Sequence, residues 1–173
     1  MKDFVIRNSN MNDVQSILNL YQISIDYMKS KNQVHWPEFP KELIQREIKE
    51  KRQWKILIEG QIGCIWTTAL KDEVIWGNQN NEPSVYIHRI AANPNFRGQN
   101  FVKKIVDWAD KHCSINNLKF IRMDTVGLNI GLIAHYKKAG FNFLGMKKLQ
   151  NTKTLPLQNN LKMSSSTGIK RKS

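Results

Sequence analysis

Residues 84 to 125 predict a strand, a helix and a second strand in direct succession, and this order limits the possible folds most. Residues 84–92, SVYIHRIAA, are apolar at almost every position, as in a strand that is buried on both faces. Residues 98–113 follow with an amphipathic helical pattern, and residues 119–125 with a second strand pattern. Strands that flank a crossover helix run parallel, with a right-handed connection. The chain is therefore expected to contain a parallel β-α-β unit.

The segments before residue 84 predict antiparallel strands. A short strand is expected at 4–7, and Asn10 suits the N-cap of the helix that follows it. Two β-rich runs between residues 54 and 70 surround Glu59-Gly60-Gln61, a pattern typical of a hairpin. Strands joined by short turns are antiparallel. The predicted fold class is therefore α/β: a mixed sheet, with antiparallel N-terminal strands and a parallel central pair, flanked by helices.

The part of the chain after residue 125 predicts one more helix and one clear strand. Residues 130–141 have a helical pattern that ends with Lys137, Lys138 and Gly140. Lysines suit the negative C-terminal end of a helix, and glycine suits the left-handed position that follows it. Residues 141–149 then predict a strand.

The C-terminal residues predict little regular structure. Residues 155–163, LPLQNNLKM, are a weak strand candidate. Residues 164–173 are polar and basic with one isoleucine, too few apolar groups to offset the entropy of ordering, so disorder is expected there. We therefore assign the folded domain to residues 1–152 and a basic tail to residues 153–173.

The charge is unevenly distributed along the chain. The net charge is +13, and the last acidic residue is Asp124. A basic half is consistent with a polyanionic partner, such as a nucleic acid or a phosphorylated cofactor, but the charge alone favours a solvated basic face and a loose basic tail. The five tryptophans fall within apolar periodic segments and not among the basic residues, so we do not expect a nucleic-acid partner.

The sequence also indicates the compartment and argues against a metal site. Cys64 and Cys113 lie inside apolar segments, as small buried side chains do in a reducing compartment. No close pair of Cys or His residues has the spacing of metal ligands, so we expect no metal. No run of 18 apolar residues and no secretory signal is present, which favours a cytoplasmic protein without membrane attachment.

Arg97 and Gly98 lie where the strand 84–92 gives way to the helix. The N-terminus of a helix has unpaired N–H groups and a partial positive charge. Glycine lets the backbone approach a ligand, and arginine adds a planar set of donors. These features predict a phosphate-binding turn. The Gly-Lys-Ser/Thr ending of a P-loop and the spaced glycines of a dinucleotide fingerprint are both absent.

The segments IAANPNFRGQNFVKKIV and DTVGLNIGLIAHYKKAGF together resemble the GNAT-type N-acetyltransferases. The first is similar to the acetyl-CoA motif of that family and the second to its companion motif of Asn, Tyr and Gly-Phe, here Asn129, Tyr136 and Gly140-Phe141. The resemblance covers residues 4 to about 150 and implies the GNAT fold. The chain departs from the family at Asn100 and Val102, where glycine and then glycine or alanine are usual.

The resemblance implies a role for each matching residue. The pyrophosphate of acetyl-CoA would lie against the turn, which comprises Arg97, Gly98, Gln99, Asn100, Phe101 and Val102. The pantetheine arm would pair with the strand end, Ile90, Ala91 and Ala92. Asn129 would orient the cofactor arm or cap a helix. Tyr136 would protonate the CoA sulfur as an amine attacks the thioester, while an alanine N–H polarises the carbonyl.

The acceptor and the general base remain open on the sequence. Trp36 and Glu38, in the loop 31–40, could supply an aromatic surface and a carboxylate for a cationic amine. The acceptor could be a small-molecule amine or a protein amino group. The candidate bases are Glu38, His35, His88 and Asp124.

Two other functions are consistent with parts of the sequence. One is a basic nucleic-acid-binding module, which would explain the charge. The other is a CoA-binding protein without turnover, which would explain Asn100 and Val102. An unfinished sheet edge could also pair with a second copy of the chain as a homodimer.

Overall fold

The computed structural model describes residues 3–126, 130–149 and 158–166. The chain divides into two compact units. The first comprises Met1–Thr68 and His88–Phe101, and the second comprises Ala69–Ile87 and Val102–Ser173. No helix among the described residues is both long enough and apolar enough to cross a membrane.

The first unit contains an antiparallel sheet. Its first three strands are β1 (Phe4–Asn8), β2 (Gln53–Ile58) and β3 (Gln61–Ala69), and β2 pairs with both of the others in antiparallel register. Glu59 and Gly60 join β2 to β3 with φ of +50° and +80°, the positive values that a tight hairpin turn requires. The predicted hairpin is thereby confirmed.

Two helices of the first unit lie between β1 and β2 in the sequence. Helix α1 covers Val14–Ser30 and α2 covers Lys41–Lys49. Asn10 caps the short 3-10 turn before α1: its side chain accepts from the N–H of Asn12, and Asp13 Oδ2 accepts from the N–H of Asn10 at 2.7 Å. This capping box confirms the predicted helix start.

The core of the first unit joins its helices to β3 and to the end of β4 (Ser84–Ala92). Each buried isoleucine or leucine contributes about 1.5–3 kcal/mol to stability. Trp36 and Phe39, from the loop before α2, pack against this cluster from outside. The buried members are Val14, Ile17, Leu20, Tyr21, Ile44, Ile48, Ile65 and Ala91.

The second unit contains the parallel pair. The first half of β4 pairs with β5 (Phe120–Val126) in parallel register, as the β-α-β pattern predicts. The second unit also includes α3 (Glu73–Trp76), α5 (Ile130–Lys138) and most of α4 (Phe101–Asn116). With antiparallel strands, one parallel pair and helices in both units, the predicted fold class is confirmed.

Helix α4 begins three residues later than the sequence pattern predicts. Gly98 has φ of +82° and Asn100 has φ of +51°, and neither value fits an α-helix. The residues from 98 to 100 therefore form a turn, and α4 begins at Phe101.

The C-terminal residues differ from the expected disordered tail. Strand β6 covers Asn142–Leu149 and β7 covers Gln158–Ser166. Strand β7 lies between β5 and β6 and pairs antiparallel with both. The expectation of disorder is therefore wrong for residues 164–166. Residues 158–166 form a strand of the same sheet as β5 and β6. The predicted disorder of residues 167–173 lies outside the described residues.

The sequence pattern underestimates strand β7 for a physical reason. Residues 158–166 have a weak strand pattern, but β7 has a neighbour on each side, so backbone pairing fixes it from both directions. Such pairing satisfies N–H and C=O groups whatever the side chains are. A periodicity argument, which depends on side chains, underestimates a strand of this kind.

A chain that ends at Leu157 is expected to be much less stable than one that ends at Ser166. The shorter chain lacks β7, so β5 and β6 each lose a paired neighbour and expose a strand edge. Thermal unfolding and light scattering of the two truncated chains measure the difference. Equal unfolding temperatures, with no aggregation of the shorter chain, would contradict the position of β7 between β5 and β6.

Candidate active site

The predicted phosphate-binding turn, residues 97–102, has an irregular backbone at the start of α4. Gly98 and Asn100 both have positive φ, and both are exposed. Among the described residues, no backbone hydrogen bond occupies the N–H of Gly98, Gln99 or Asn100. These donors precede the positive end of the 16-residue helix α4. The turn can therefore offer several N–H groups to one anion.

The departure from the family at Asn100 does not disturb the turn. Asparagine adopts positive φ more readily than most residues, and Asn100 does so here. Val102 is the other departure, and its side chain is buried, with 8% of its surface exposed. Both residues are therefore compatible with a turn whose donors are backbone N–H groups.

Phe101 anchors the start of α4 within the first unit. Its side chain is buried and occupies the space beside Gly63 of β3, where an added Cβ would lie 3.1 Å from the Phe101 ring and 3.1 Å from Ile58. This contact holds the turn in place from its C-terminal side.

Asn93 anchors the turn from its N-terminal side. The backbone N–H of Asn93 donates to Gly63 O at 2.8 Å, and its side-chain amide donates to Ile62 O at 3.0 Å. Its side-chain oxygen also accepts from the N–H of Asn95. Sequence reasoning missed this residue, because an asparagine before a proline signals only an ordinary turn.

A groove of about 400 Å³ lies beside the turn in the first unit. Arg97 lines it together with the predicted strand-end residues Ile90 and Ala92. The Arg97 guanidinium lies 5.5 Å from the centre of the Tyr27 ring, a cation–π contact with α1. The groove is thus mostly apolar, with one cation on its wall. Its lining residues are Ile23, Ser24, Tyr27, Met28, Ile90, Ala92, Pro94 and Arg97.

The parallel pairing of β4 with β5 ends before either strand does. The last paired residues are Ile87 and Met123, whereas β4 continues to Ala92 and β5 continues to Val126. Within the strand end, Ala91 is buried in the core of the first unit and Ala92 is exposed.

The predicted acceptor residues lie beside a second cavity of the first unit. Glu38 is exposed and lines a cavity of about 250 Å³ with Tyr21 and Phe39 among its other walls. Trp36 is half-buried, and its ring lies 6.0 Å from that of Tyr21 and 6.1 Å from that of Phe39. Trp36 therefore supports the aromatic wall, and Glu38 contributes a carboxylate to the cavity.

Tyr136 lies in the second unit, on α5. Its side chain is buried, with 6% of its surface exposed, and its ring lies 6.2 Å from that of Phe141. The carbonyl of Tyr136 accepts from the N–H of Phe141, and Gly140 has φ of +93°, which confirms the predicted end of this helix. Asn129 lies outside the described residues.

The four candidate bases have different surroundings. Glu38 is exposed, whereas His35 is half-buried with Nδ1 2.8 Å from the carbonyl oxygen of Trp36. His88 is half-buried on β4, and Asp124 is half-buried on β5 opposite Lys162 of β7. Glu38 is the candidate that lines a cavity of the first unit.

Neither cysteine is suited to be a nucleophile. Cys64 and Cys113 are both fully buried. Burial raises the pKa of the Cys113 thiol to about 12 and the pKa of the Cys64 thiol well above its usual range. Because the thiolate is the reactive form, both thiols are inert at neutral pH.

The chain is similar in sequence to known acetyltransferases. Residues 20–141 match the sequence model described as "Acetyltransferase (GNAT) family". A stretch of 74 residues is 31% identical to the uncharacterized N-acetyltransferase YesJ of Bacillus subtilis and covers 43% of this chain and 41% of that protein. The chain thus matches less than half the length of this curated relative.

The chain is also similar in fold to solved structures. A GNAT-family acetyltransferase from Listeria monocytogenes superimposes with a TM-score of 0.76 at 20% identity, covering 94% of each chain. The protein yncA from Salmonella typhimurium, solved with its cofactor acetyl-CoA, has a TM-score of 0.70 at 9% identity and covers 95% of this chain and 94% of its own. At these low sequence identities, the structural similarity shows that the chain has the same fold as these proteins and nothing more specific.

Proposed function

This chain belongs to the acetyltransferase (GNAT) family, and from that premise we propose that it transfers an acetyl group from acetyl-CoA to a primary amine. The observation that carries the proposal is the turn from Arg97 to Val102. Gly98 and Asn100 have positive φ, and among the described residues no backbone acceptor takes the N–H of residues 98–100, so these groups can serve a pyrophosphate. The solved relative with bound acetyl-CoA supports the same cofactor.

Different residues around the turn hold different parts of the cofactor. The backbone N–H groups of residues 98–102 bind the pyrophosphate, and Arg97 adds charge on the wall of the adjacent groove. Ile90, Ala91 and Ala92 present the backbone groups of a strand end to the pantetheine arm. Asn93 and Phe101 keep this geometry fixed from the two sides.

Acetyl-CoA supplies the activated thioester, and the side chains supply protons and orientation. The N–H of Ala91 or Ala92 polarises the carbonyl at the strand end. Tyr136 would donate its hydroxyl proton to the leaving sulfur, a role for which a tyrosine hydroxyl is chemically suited. Direct attack by the amine is favoured, because burial raises the pKa of both thiols and so disfavours a cysteine nucleophile.

The amine acceptor binds in the cavity that Glu38 lines. The carboxylate attracts a cationic amine, and the aromatic rings of Tyr21 and Phe39 form its apolar wall, supported by Trp36. A small-molecule amine and an exposed protein amino group both have the required chemistry. Glu38 is also the base that we assign to remove the proton from the attacking amine.

The test combines binding with turnover. Thermal unfolding is measured with and without CoA, and release of free CoA thiol is then measured with acetyl-CoA and a panel of small amines and peptides. Stabilisation by CoA together with acceptor-dependent thiol release is the expected result. A salt-sensitive affinity for DNA with no stabilisation by CoA would identify a nucleic-acid-binding module instead. Stabilisation without thiol release across the panel would identify a CoA-binding protein without turnover.

A further inference from the structure

Arg89 has a backbone conformation that is unusual for a strand residue. It lies inside β4 with φ of +53°, in the left-handed region that residues with a Cβ rarely adopt. A residue of this kind is typical of a β-bulge, which bends a strand and changes the direction of nearby side chains. The residues that follow are Ile90, Ala91 and Ala92, the strand end of the proposed cofactor site. Surrounding contacts must hold this conformation, because it is disfavoured on its own.

An ion pair with α2 holds the Arg89 side chain at its charged end. The guanidinium donates to Glu47 Oε1, and Glu47 is buried, with 4% of its surface exposed. Arg52 also approaches Glu47 Oε1, at 3.7 Å. Arg89 is itself largely buried, because only 13% of its side chain is exposed. A buried pair of this kind is sensitive to the loss of either partner.

Two aromatic rings contact the same guanidinium. The Arg89 Cζ atom lies 5.3 Å from the centre of the Tyr21 ring and 4.7 Å from the centre of the Phe39 ring. These rings come from α1 and from the loop before α2, and both line the cavity that contains Glu38. One side chain therefore contacts α1, the loop and α2 together.

We propose that Arg89 is a positioning residue that holds the end of β4 for acetyl-CoA and connects it to the acceptor cavity. This inference rests on the proposed function. The ion pair with Glu47 and the two aromatic contacts fix the left-handed bend. The bend directs Ile90 and Ala92 to the groove and Ala91 to the core. The wall of the acceptor cavity and the cofactor strand are thereby joined through one guanidinium.

The variants separate the ion pair from general loss of stability. Glu47→Gln with Arg89→Gln removes both charges together, so no unpaired charge remains buried. Arg89→Lys keeps the positive charge but loses the planar guanidinium group. The matched control is Asp13→Asn with Lys55→Gln, because Asp13 and Lys55 form another largely buried ion pair of the same unit, at 2.6 Å.

Calorimetry measures how strongly each variant binds CoA. Glu47→Gln/Arg89→Gln is expected to weaken CoA binding about tenfold and Arg89→Lys by a smaller factor, whereas the control changes it by less than about twofold. A double variant that folds and binds CoA as the wild type does would overturn the proposal. If the double variant does not fold, Arg89→Lys decides, and an unchanged affinity in Arg89→Lys overturns the proposal equally.

Amide NMR signals of ¹⁵N-alanine-labelled protein give a second readout that needs no ligand. The Ala91 and Ala92 signals are expected to move in the Arg89 variants and to stay in place in the control. Unmoved signals would show that Arg89 does not position the strand end. If wild-type protein fails to bind CoA, the proposed function is wrong, and these signals still decide the role of Arg89 in the fold.

Discussion

The Gly98→Pro variant is expected to lose the stabilisation that CoA gives to the wild-type chain. At a CoA concentration about 100 times the dissociation constant, that stabilisation is about 2.7 kcal/mol. Proline fixes φ near −65°, whereas Gly98 has φ of +82°, and proline also removes one N–H from the proposed anion site. Thermal unfolding with and without CoA measures the effect. A variant that is folded and is stabilised by CoA as strongly as the wild type would contradict the anion site.

Gly98→Ala and Gly60→Ala provide a matched control for backbone strain. Gly60 has φ of +80°, and an added Cβ meets no atom within 4 Å at either position. Both alanine variants are expected to lose about 1–2 kcal/mol of stability from the left-handed conformation. Only the change at residue 98 is expected to weaken CoA binding. If Gly60→Ala weakened it equally, the effect at residue 98 would reflect stability and not the ligand.

The Tyr136→Phe variant is expected to turn over about 10²–10⁴ times more slowly than the wild type, with unchanged affinity for CoA. The substitution removes the hydroxyl that we assign as the proton donor and keeps the buried ring. Turnover is measured with the acceptor identified in the amine panel, and affinity is measured by calorimetry. Unchanged turnover would make Tyr136 a packing residue of α5.

Tyr86→Phe is the control for that measurement. Tyr86 lies in the same unit and is fully buried, and its hydroxyl accepts a hydrogen bond from Arg122 at 3.1 Å. Its loss is expected to reduce stability by about 1 kcal/mol and to leave turnover unchanged. A fall in turnover similar to that of Tyr136→Phe would show that any buried tyrosine of this unit affects the rate through stability.

Long-range contacts account for most of what sequence reasoning missed. Asn93 acts through the carbonyls of Ile62 and Gly63, 30 or more residues earlier in the chain. Arg89 acts through Glu47, which is 42 residues away. No local sequence pattern predicts the role of either residue, because the partner of each is brought close only when strands and helices pack.

The sequence by itself determined the local features of this protein. Hydrophobic periodicity and turn chemistry predicted the strands and the helix of the β-α-β unit, the hairpin at Glu59-Gly60 and the N-cap at Asn10, because each depends on residues a few positions apart. Gly98 and Asn100 are of residue types that adopt positive φ readily, although the helical pattern that begins at residue 98 does not predict it.

Only the tertiary structure decided which distant elements share a surface. It placed β7 between β5 and β6, because two neighbouring strands can pair with a backbone whose side chains give little signal. It also packed Trp36 on the core of the first unit and left Glu38 on a cavity wall, although both lie in one short loop. The left-handed bend at Arg89 has the same origin, since contacts with three separate elements hold a conformation that the local sequence disfavours.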